Sequence, residues 1–404
     1  MVNESNISVL NHDDCCGCKA CGDVCPKSCI SFCEDKDGFM YPHVDEVQCI
    51  SCKKCQRICP ELKPSYNTKN ASAIAAFALN QEARSAGSSG GIFGLLAQEI
   101  IKKGGKVWGA AFDSDLQLHH EAVTNIEDLT ALYRSKYIQS DPEGAYAQIK
   151  KDISEGTLTL FSGTPCQCNA IKNFIGKSDL LITVEVICHG VPPQSLFNKL
   201  IAYLERQNHY KITSFAFRSK SDKALHPQSF TYVCDNGKRK MTVNGLHYQF
   251  PYYFGFQKYI TLRPSCYLCK WAKPERTADI TLGDFWGIEK YDSSLDAKEG
   301  VSMIIVNTEA GKSLIESLEN QKKIFTESFP INVAIENNGC LVSPTPLKKE
   351  RDAFFKALNV EPLEDVIYNY LRPKRKFIFD IYYSLPKPLR QIVRHLMDKR
   401  MKYE

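Results

Sequence analysis

The sequence predicts an α/β protein: a mixed sheet with helices on its faces, preceded by a small cysteine-rich α+β module and followed by a helical tail. Three observations carry this expectation. Short continuous apolar runs alternate with amphipathic segments through the middle of the chain, the pattern of strands covered by helices on both sides. A length of 404 residues exceeds what one hydrophobic core supports, so two or three domains are expected. Finally, the seventeen residues from Asp13 to Cys29 hold six cysteines and stand apart in texture from the rest of the chain.

The first element is this module, residues 1–63. Cys15, Cys18, Cys21 and Cys25 are spaced C-x2-C-x2-C-x3-C and followed by Pro26; Cys49, Cys52, Cys55 and Cys59 repeat the spacing 34 residues later, followed by Pro60. This is the ferredoxin pattern for two [4Fe–4S] clusters, in which the fourth cysteine of each run reaches the other cluster. Cys15, Cys18, Cys21 and Cys59 are therefore assigned to one cluster, and Cys49, Cys52, Cys55 and Cys25 to the second. Zinc prefers cysteine pairs separated by a longer gap and fits two even quartets poorly. Cys16, Cys29 and Cys33 fall off the spacing and read as small packing residues beside the clusters. Between the quartets, Gly38, Tyr41 and Pro42 mark a hairpin. The segment "ELKPSYNTKNAS" is a linker by composition.

The second element runs from residue 64 to 155. "SAIAAFAL" and "KVWGAAFD" have strand length. Between them Ile92, Leu95, Leu96, Glu99 and Ile100 form one mostly apolar helical face, stopped at Gly104. "GSSGG", Gly87 to Gly91, lies directly before that helix. Free N–H groups at such a start suit a phosphate, although a Gly/Ser start alone is more often a tight turn. "SKYIQSD" supplies Lys136, Gln139 and Ser140 for a polar ligand, or forms a solvated loop.

The third element, residues 156–345, contributes "TLTLFSG", "LLITVEVICHG", "ADITLGDFWG" and "VSMIIVNT" as strands and "EAGKSLIESLENQ" as a helix, with some antiparallel pairing. No G-x-G-x-x-G follows a strand, so a nicotinamide-type fingerprint is missing. Cys166 and Cys188 each fall just beyond a strand, where ligands gather in α/β sheets, and Cys266 with Cys269 forms a C-x2-C. From spacing alone, a third four-thiolate site and a set of buried structural thiols or a zinc site stand level. Cys168, Cys234 and Cys340 have no partners in sequence. His189, beside Cys188, reads as an ordinary hydrogen-bonded histidine.

"RSAGSSGGIFGLLAQEIIKKGGKVWGAAFD", "SKYIQSD", "LFSGTPCQCNAIKNF", "VEVICHGVPP", "FRSK" and "RPSCYLCKWAKPERTADITLGDFWGI" occur in this order. Together, from about Ser72 to Gln321, they resemble the beta-subunit family of coenzyme F-420 hydrogenase/dehydrogenase, in which an N-terminal ferredoxin-like module is a common fusion. The resemblance implies FAD and at least one [4Fe–4S] cluster. It places a third cluster on Cys166, Cys188, Cys266 and Cys269, and FAD contacts on Arg84, Ser85, Ser88, Ser89, Gly90 and Gly91 and on Ser135, Lys136, Tyr137, Gln139 and Ser140. Residues 64–155 are then the FAD-binding part and 156–345 the part carrying the third cluster. Lys136 is the candidate for stabilising negative charge on reduced flavin; no Asp, Glu or His stands out as a proton donor.

The expected function is an oxidoreductase relaying single electrons between clusters, FAD and a two-electron substrate or carrier, with ferredoxin or another redox protein as partner and the chain as an oligomer or part of a complex. The alternative is a non-enzymatic electron-transfer adaptor without flavin. A structural zinc protein is the third reading.

The last element, residues 346–404, is basic. Ten Lys/Arg stand against three Asp/Glu from Leu371 onward, +7 within a chain of net +5, so the rest carries −2. Leu389, Ile392, Val393, Leu396 and Met397 share a helical face, with Lys387, Arg390, Arg394 and Arg400 mostly elsewhere around it. Such a helix lies on an anionic membrane surface or packs on its own domain. No nucleic-acid module accompanies the charge. The polar opening "MVNESNISVLNHDD" and the lack of a bilayer-length apolar run predict a cytoplasmic protein, or one peripheral on the inner face of the membrane. Eighteen cysteines in that reducing compartment point to metal or redox chemistry rather than disulfides.

Overall fold

The computed structural model describes residues 4–67, 70–220, 229–237, 239–295, 297, 299–385 and 389. Its strands, in chain order, are β1 (Ile30–Glu34), β2 (Met40–Val44), β3 (Ser72–Ala78), β4 (Lys106–Phe112), β5 (Leu118–Val123), β6 (Thr159–Gly163), β7 (Leu181–Val186), β8 (Lys211–Phe217), β9 (Ser229–Asp235), β10 (Lys240–Leu246), β11 (Ile280–Asp284), β12 (Ser302–Val306) and β13 (Ile324–Pro330). Eight of them form one mixed sheet in the order β13-β3-β12-β11-β7-β6-β4-β5. The central neighbours β11, β7, β6 and β4 are parallel, and antiparallel strands extend both flanks. The expected α/β fold with a mixed sheet is therefore present.

Alternation along the strands explains why both faces are covered. Val107, Leu160 and Val184 face the helices Ile92–Lys102 and Glu309–Asn320. Trp108 and Phe161, one residue on in each strand, face the helices Ala145–Ser154 and Pro165–Ile175 on the opposite side. All five residues expected on the face of the first helix, Ile92, Leu95, Leu96, Glu99 and Ile100, are buried. Glu99 belongs there because Lys323 pairs with its carboxylate and Gln321 donates to it at 2.9 Å. A charge inside an apolar face is tolerated when it is paired and hydrogen-bonded in this way.

A second, three-stranded antiparallel sheet, β10-β9-β8, packs with the helices Gln194–Asn208 and Pro251–Gln257 into an aromatic core. That core also takes Phe39 and Tyr41 from the β1-β2 hairpin. The N-terminal module is thus built into the body. Asp23 accepts from the N–H groups of Gly144 (2.8 Å), Tyr146 (3.1 Å) and Ala147 (3.3 Å), capping the start of Ala145–Ser154 from outside that helix's own segment. Lys19 Nζ reaches Asp141 (2.5 Å) and Glu143 (2.7 Å). Arg263, fully buried, donates to the carbonyls of Cys15 (2.5 Å) and Met40 (3.0 Å) and to Gln139 Oε1 (3.0 Å).

Beyond β13 the chain is helical over Glu350–Val360, Leu363–Tyr370 and Lys376–Ser384. The last of these lays Phe379 and Tyr383 against Tyr248 and leaves Phe377 and Ile381 exposed. Apart from Leu389, the basic amphipathic helix expected further on lies outside the described residues. No helix among the described residues is long and apolar enough to cross a membrane.

Candidate functional site

Four neighbouring cavities run from the N-terminal module into the C-terminal edge of the parallel strands. The first is lined by Cys15, Cys18, Cys21 and Cys59, one of the expected quartets, together with Cys16, Glu61 and apolar neighbours. A second is lined by Cys25, Cys49, Cys52 and Cys55, the other quartet, with Cys29 added; Cys29 Sγ lies 3.3 Å from Cys25 Sγ. The third gathers Cys166, Cys188, Cys266 and Cys269 from sequence positions 103 residues apart, again with a fifth thiol, Cys16. Cys33 is exposed and lines none of these three.

The local backbone shows how each module loop turns its thiols inward. Gly17 and Lys19 have φ of +68° and +60°; Ser51 and Lys53, at the same places in the second run, have +56° and +57°. Three of these four left-handed residues carry a Cβ, a conformation that costs about 1–2 kcal/mol each. Strain repeated at equivalent positions marks a loop shaped for a ligand.

An iron–sulfur cluster fits these cavities by donor chemistry. Every cysteine is a free thiol, and each cavity carries at least four of them, the soft donor set such clusters require. Crowding adds a second reason. Burial, with the charge of Cys269 next, pushes the Cys266 thiol up to about 12; burial, followed by Cys166, does the same to Cys269. Four thiolates around one small space need cations between them, so metal entry would release protons. Among the described residues, no three His, Cys, Asp or Glu side chains converge closely enough to hold a single ion.

The fourth cavity is a cleft of about 370 Å³. Its floor is the C-terminal end of the parallel strands: Ser162 to Thr164 at the end of β6, Val186 to Val191 from the end of β7, and Leu282 to Asp284 at β11. This is where α/β sheets bind ligands. One wall is the Gly/Ser turn and the start of Ile92–Lys102, whose first N–H groups have no side-chain cap. The opposing wall is Tyr133 to Ile138. The two loops touch, since Ser135 donates to Ser88 Oγ through its N–H (2.8 Å) and its hydroxyl (3.2 Å).

Of the expected flavin contacts, Ser88, Ser89, Gly91, Ser135, Lys136, Tyr137 and Ser140 line this cleft, whereas Arg84, Ser85, Gly90 and Gln139 do not. Arg84 turns away to the Gly300 carbonyl (2.8 Å) and lies over the Phe77 ring. Gly90 packs its backbone against β3, so closely that a Cβ would sit 2.4 Å from Ala76 O. Gln139 faces the third cavity and donates to Cys16 O (3.0 Å). Lys136 donates to the carbonyls of Ala131 and Tyr133, and burial pushes its ammonium down to about 7.

Among the described residues, three buried polar atoms on this cleft have no hydrogen-bond partner: Ser89 Oγ, His120 Nδ1 and Arg218 Nε. Unpaired buried donors and acceptors are costly, so a polar ligand in the cleft fits them. Ser89 stands on the turn suited to a pyrophosphate, and FAD fits the residues on that measure. Arg218, His120, Asp284 and Trp286 escape a reading from sequence. Arg218 has φ +58°, forks onto both oxygens of Asp284 (2.8 and 2.9 Å), and lies over Trp286. Its only signal in sequence is "FRSK". His120, stacked on Phe161, is pushed down to about 4 by burial and so is neutral.

Gly91 gives a direct test of the turn. Its φ is +83°, and a Cβ would meet Ala83 O at 2.4 Å. Gly91→Ala is expected to cost about 1–2 kcal/mol from φ alone and more from the contact. Flavin per chain in anaerobically purified protein should fall, while iron per chain holds.

Residues 157–331 match the family described as the C terminus of the coenzyme F420 hydrogenase/dehydrogenase beta subunit. No curated protein matches the chain. Among solved structures, a chain from the xenon-derivatised F420-reducing [NiFe] hydrogenase complex of Methanosarcina barkeri matches with 17% identity and a TM-score of 0.43, over 76% of this chain and 91% of that one.

Proposed function

We propose, on the premise that residues 157–331 are the C-terminal domain of the coenzyme F420 hydrogenase/dehydrogenase beta-subunit family, that the chain is an iron–sulfur flavoprotein oxidoreductase. The family gives the redox, electron-transfer role. The finer reading rests on one observation: the first cavity, the third and the cleft share lining residues in series, and the second packs beside the first, with Cys55 in one buried cluster with Cys21 and Cys59. The first and third share Cys16 and Glu61 as lining, and the third and the cleft share Ser140, Thr164, Gln167, Cys188, Gly190 and Val191.

Three [4Fe–4S] clusters would be held by Cys15, Cys18, Cys21 and Cys59, by Cys25, Cys49, Cys52 and Cys55, and by Cys166, Cys188, Cys266 and Cys269. FAD would be held by Ser88, Ser89 and Gly91 and by Ser135, Lys136, Tyr137 and Ser140. Clusters supply single electrons and a flavin accepts one or two, so the set supplies conversion between one- and two-electron chemistry.

The chain's own residues divide the work. Ser89 and the uncapped N–H groups at the start of Ile92–Lys102 bind the anionic part of the ligand. Lys136, whose charge burial weakens, lies on the wall, and Arg218, fixed by Asp284, holds a guanidinium cation beside Trp286. Gln167 joins cleft and third cavity, since its Nε2 donates to Ser140 Oγ (3.0 Å) and its Oε1 accepts from Thr164 N (3.0 Å). At the other end, Val47 (96% exposed) and Ile50 (56%) border the second quartet and offer an apolar landing for ferredoxin or another redox protein. A two-electron substrate or carrier would complete the exchange in the cleft, where Trp286 is 37% exposed.

Anaerobic cofactor analysis tests this. About twelve iron and twelve sulfide per chain, with one FAD, is the expected result. Iron and sulfide without flavin would make the chain an adaptor, and bound zinc without sulfide would sink the reading.

A further inference from the structure

Cys16 belongs to neither module quartet, yet it lines two cavities at once, the first and the third. Cys18 lines the first of these with it, and Cys166 the third. The residue is 9% exposed and packs in one cluster with Cys18 and Cys166. Its backbone is pinned on both sides: Gln139 Nε2 donates to the Cys16 carbonyl (3.0 Å), and Arg263 Nε to that of Cys15 (2.5 Å). Such fixation exceeds what a small space-filling residue needs.

We propose that Cys16 is a positioning residue shared by two cluster sites, donating its S–H to the ligand sulfur of Cys18 or of Cys166 and raising the reduction potential of the cluster that sulfur holds. The inference rests on the three-cluster reading above. With Cys18 and Cys166 both bound to iron as thiolates, neither has a proton to give. Cys16, not bound to iron, keeps its own, and a thiol has a single S–H to donate. A hydrogen bond to a ligand sulfur favours the more negative, reduced state, which is why such bonds tune cluster potentials. One proton facing two acceptors turns to whichever sulfur carries more negative charge. The potentials of the two sites are thereby linked through one side chain.

The test compares Cys16→Ala and Cys16→Ser with the parent holoprotein, all prepared anaerobically, by iron count and by redox titration followed with electron paramagnetic resonance. Iron should stay at about twelve in each. In Cys16→Ala the midpoint of the first or third cluster should move to a more negative value, while that of the second stays in place. Cys16→Ser, which keeps a hydroxyl donor, should fall closer to the parent. Unmoved midpoints at full iron content would overturn the donor role. Loss of about four irons in both variants would make Cys16 a ligand and overturn it as well. Parent protein lacking iron and sulfide would instead bring down the cluster reading beneath it.

Discussion

Cys188→Ala should remove about four of about twelve irons and leave the flavin bound but no longer reducible through the module. Cys188 is the one cysteine lining both the third cavity and the cleft. Its sulfur accepts from Gly190 N at 3.3 Å, and burial, then the neighbouring Cys266 and Cys166, raises its pKa. Alanine offers no donor atom, and three thiolates leave one iron of a cubane without protein. The first and second cavities draw no residue from beyond Glu61, so their iron should survive. Iron and flavin per chain, followed by bleaching of the flavin with a one-electron donor, check both halves. Unchanged iron would take Cys188 off the ligand set.

The second large effect concerns stability. Arg276 is 2% exposed and Glu185 0%, and Arg276 Nε meets Glu185 Oε1 at 2.5 Å. Arg276 Nη1 also donates to the carbonyls of Trp271 (2.7 Å) and Lys273 (3.1 Å), while Glu185 accepts from Thr281 Oγ1 (2.8 Å) and Ala278 N (3.3 Å). Arg276→Met leaves a buried carboxylate without its cation, a loss of about 3–5 kcal/mol. The double change Arg276→Met with Glu185→Leu removes both charges and should recover most of it, since a well-packed apolar pair often replaces a buried ion pair at little cost. Unfolding midpoints of the four proteins, compared under one set of conditions, give the answer; a single variant as stable as the parent would show that the pair contributes nothing. Iron is a second readout. Glu185 lies on β7 three residues before Cys188, and Arg276 holds the segment following Cys266 and Cys269, so the same pair sets the third quartet's spacing.

The strands of the large sheet were legible because each is a short apolar run with a polar stop: "SAIAAFAL" became β3, "LLITVEV" β7 and "VSMIIVNT" β12. β5 escaped, since Leu118–Val123 reads "LHHEAV": one buried position is a histidine, and burial of Leu118, His120 and Val123 breaks strict alternation. The β8-β9-β10 sheet escaped for a related reason: its strands mix Thr, Ser, Asn and Lys with aromatics, and only their pairing reveals a buried side. Both module quartets were legible in the regular spacing of their cysteines, and each quartet lines one cavity. The third had no such regularity. Cys166 and Cys188 follow the ends of the parallel strands β6 and β7, and the Cys266–Cys269 pair is brought to them on the separate turn Pro264–Leu268, a property of topology. Arg218 and Asp284 lie 66 residues apart and become a pair only in the fold. Cys16 looked like filler for the same reason, since nothing in "DDCCGC" announces that its second cysteine touches Cys166.

Asp23, Lys19 and Arg263 rivet the cysteine-rich module to the rest of the chain, and that has a kinetic meaning. Many redox proteins ferry charge on a swinging arm, and their turnover waits for the arm. Freeing this module would strip a helix of its cap and expose a buried guanidinium, so the proposed relay is a fixed wire. Its pace is then set at the two ends, by the arrival of an outside donor and by the exchange of substrate.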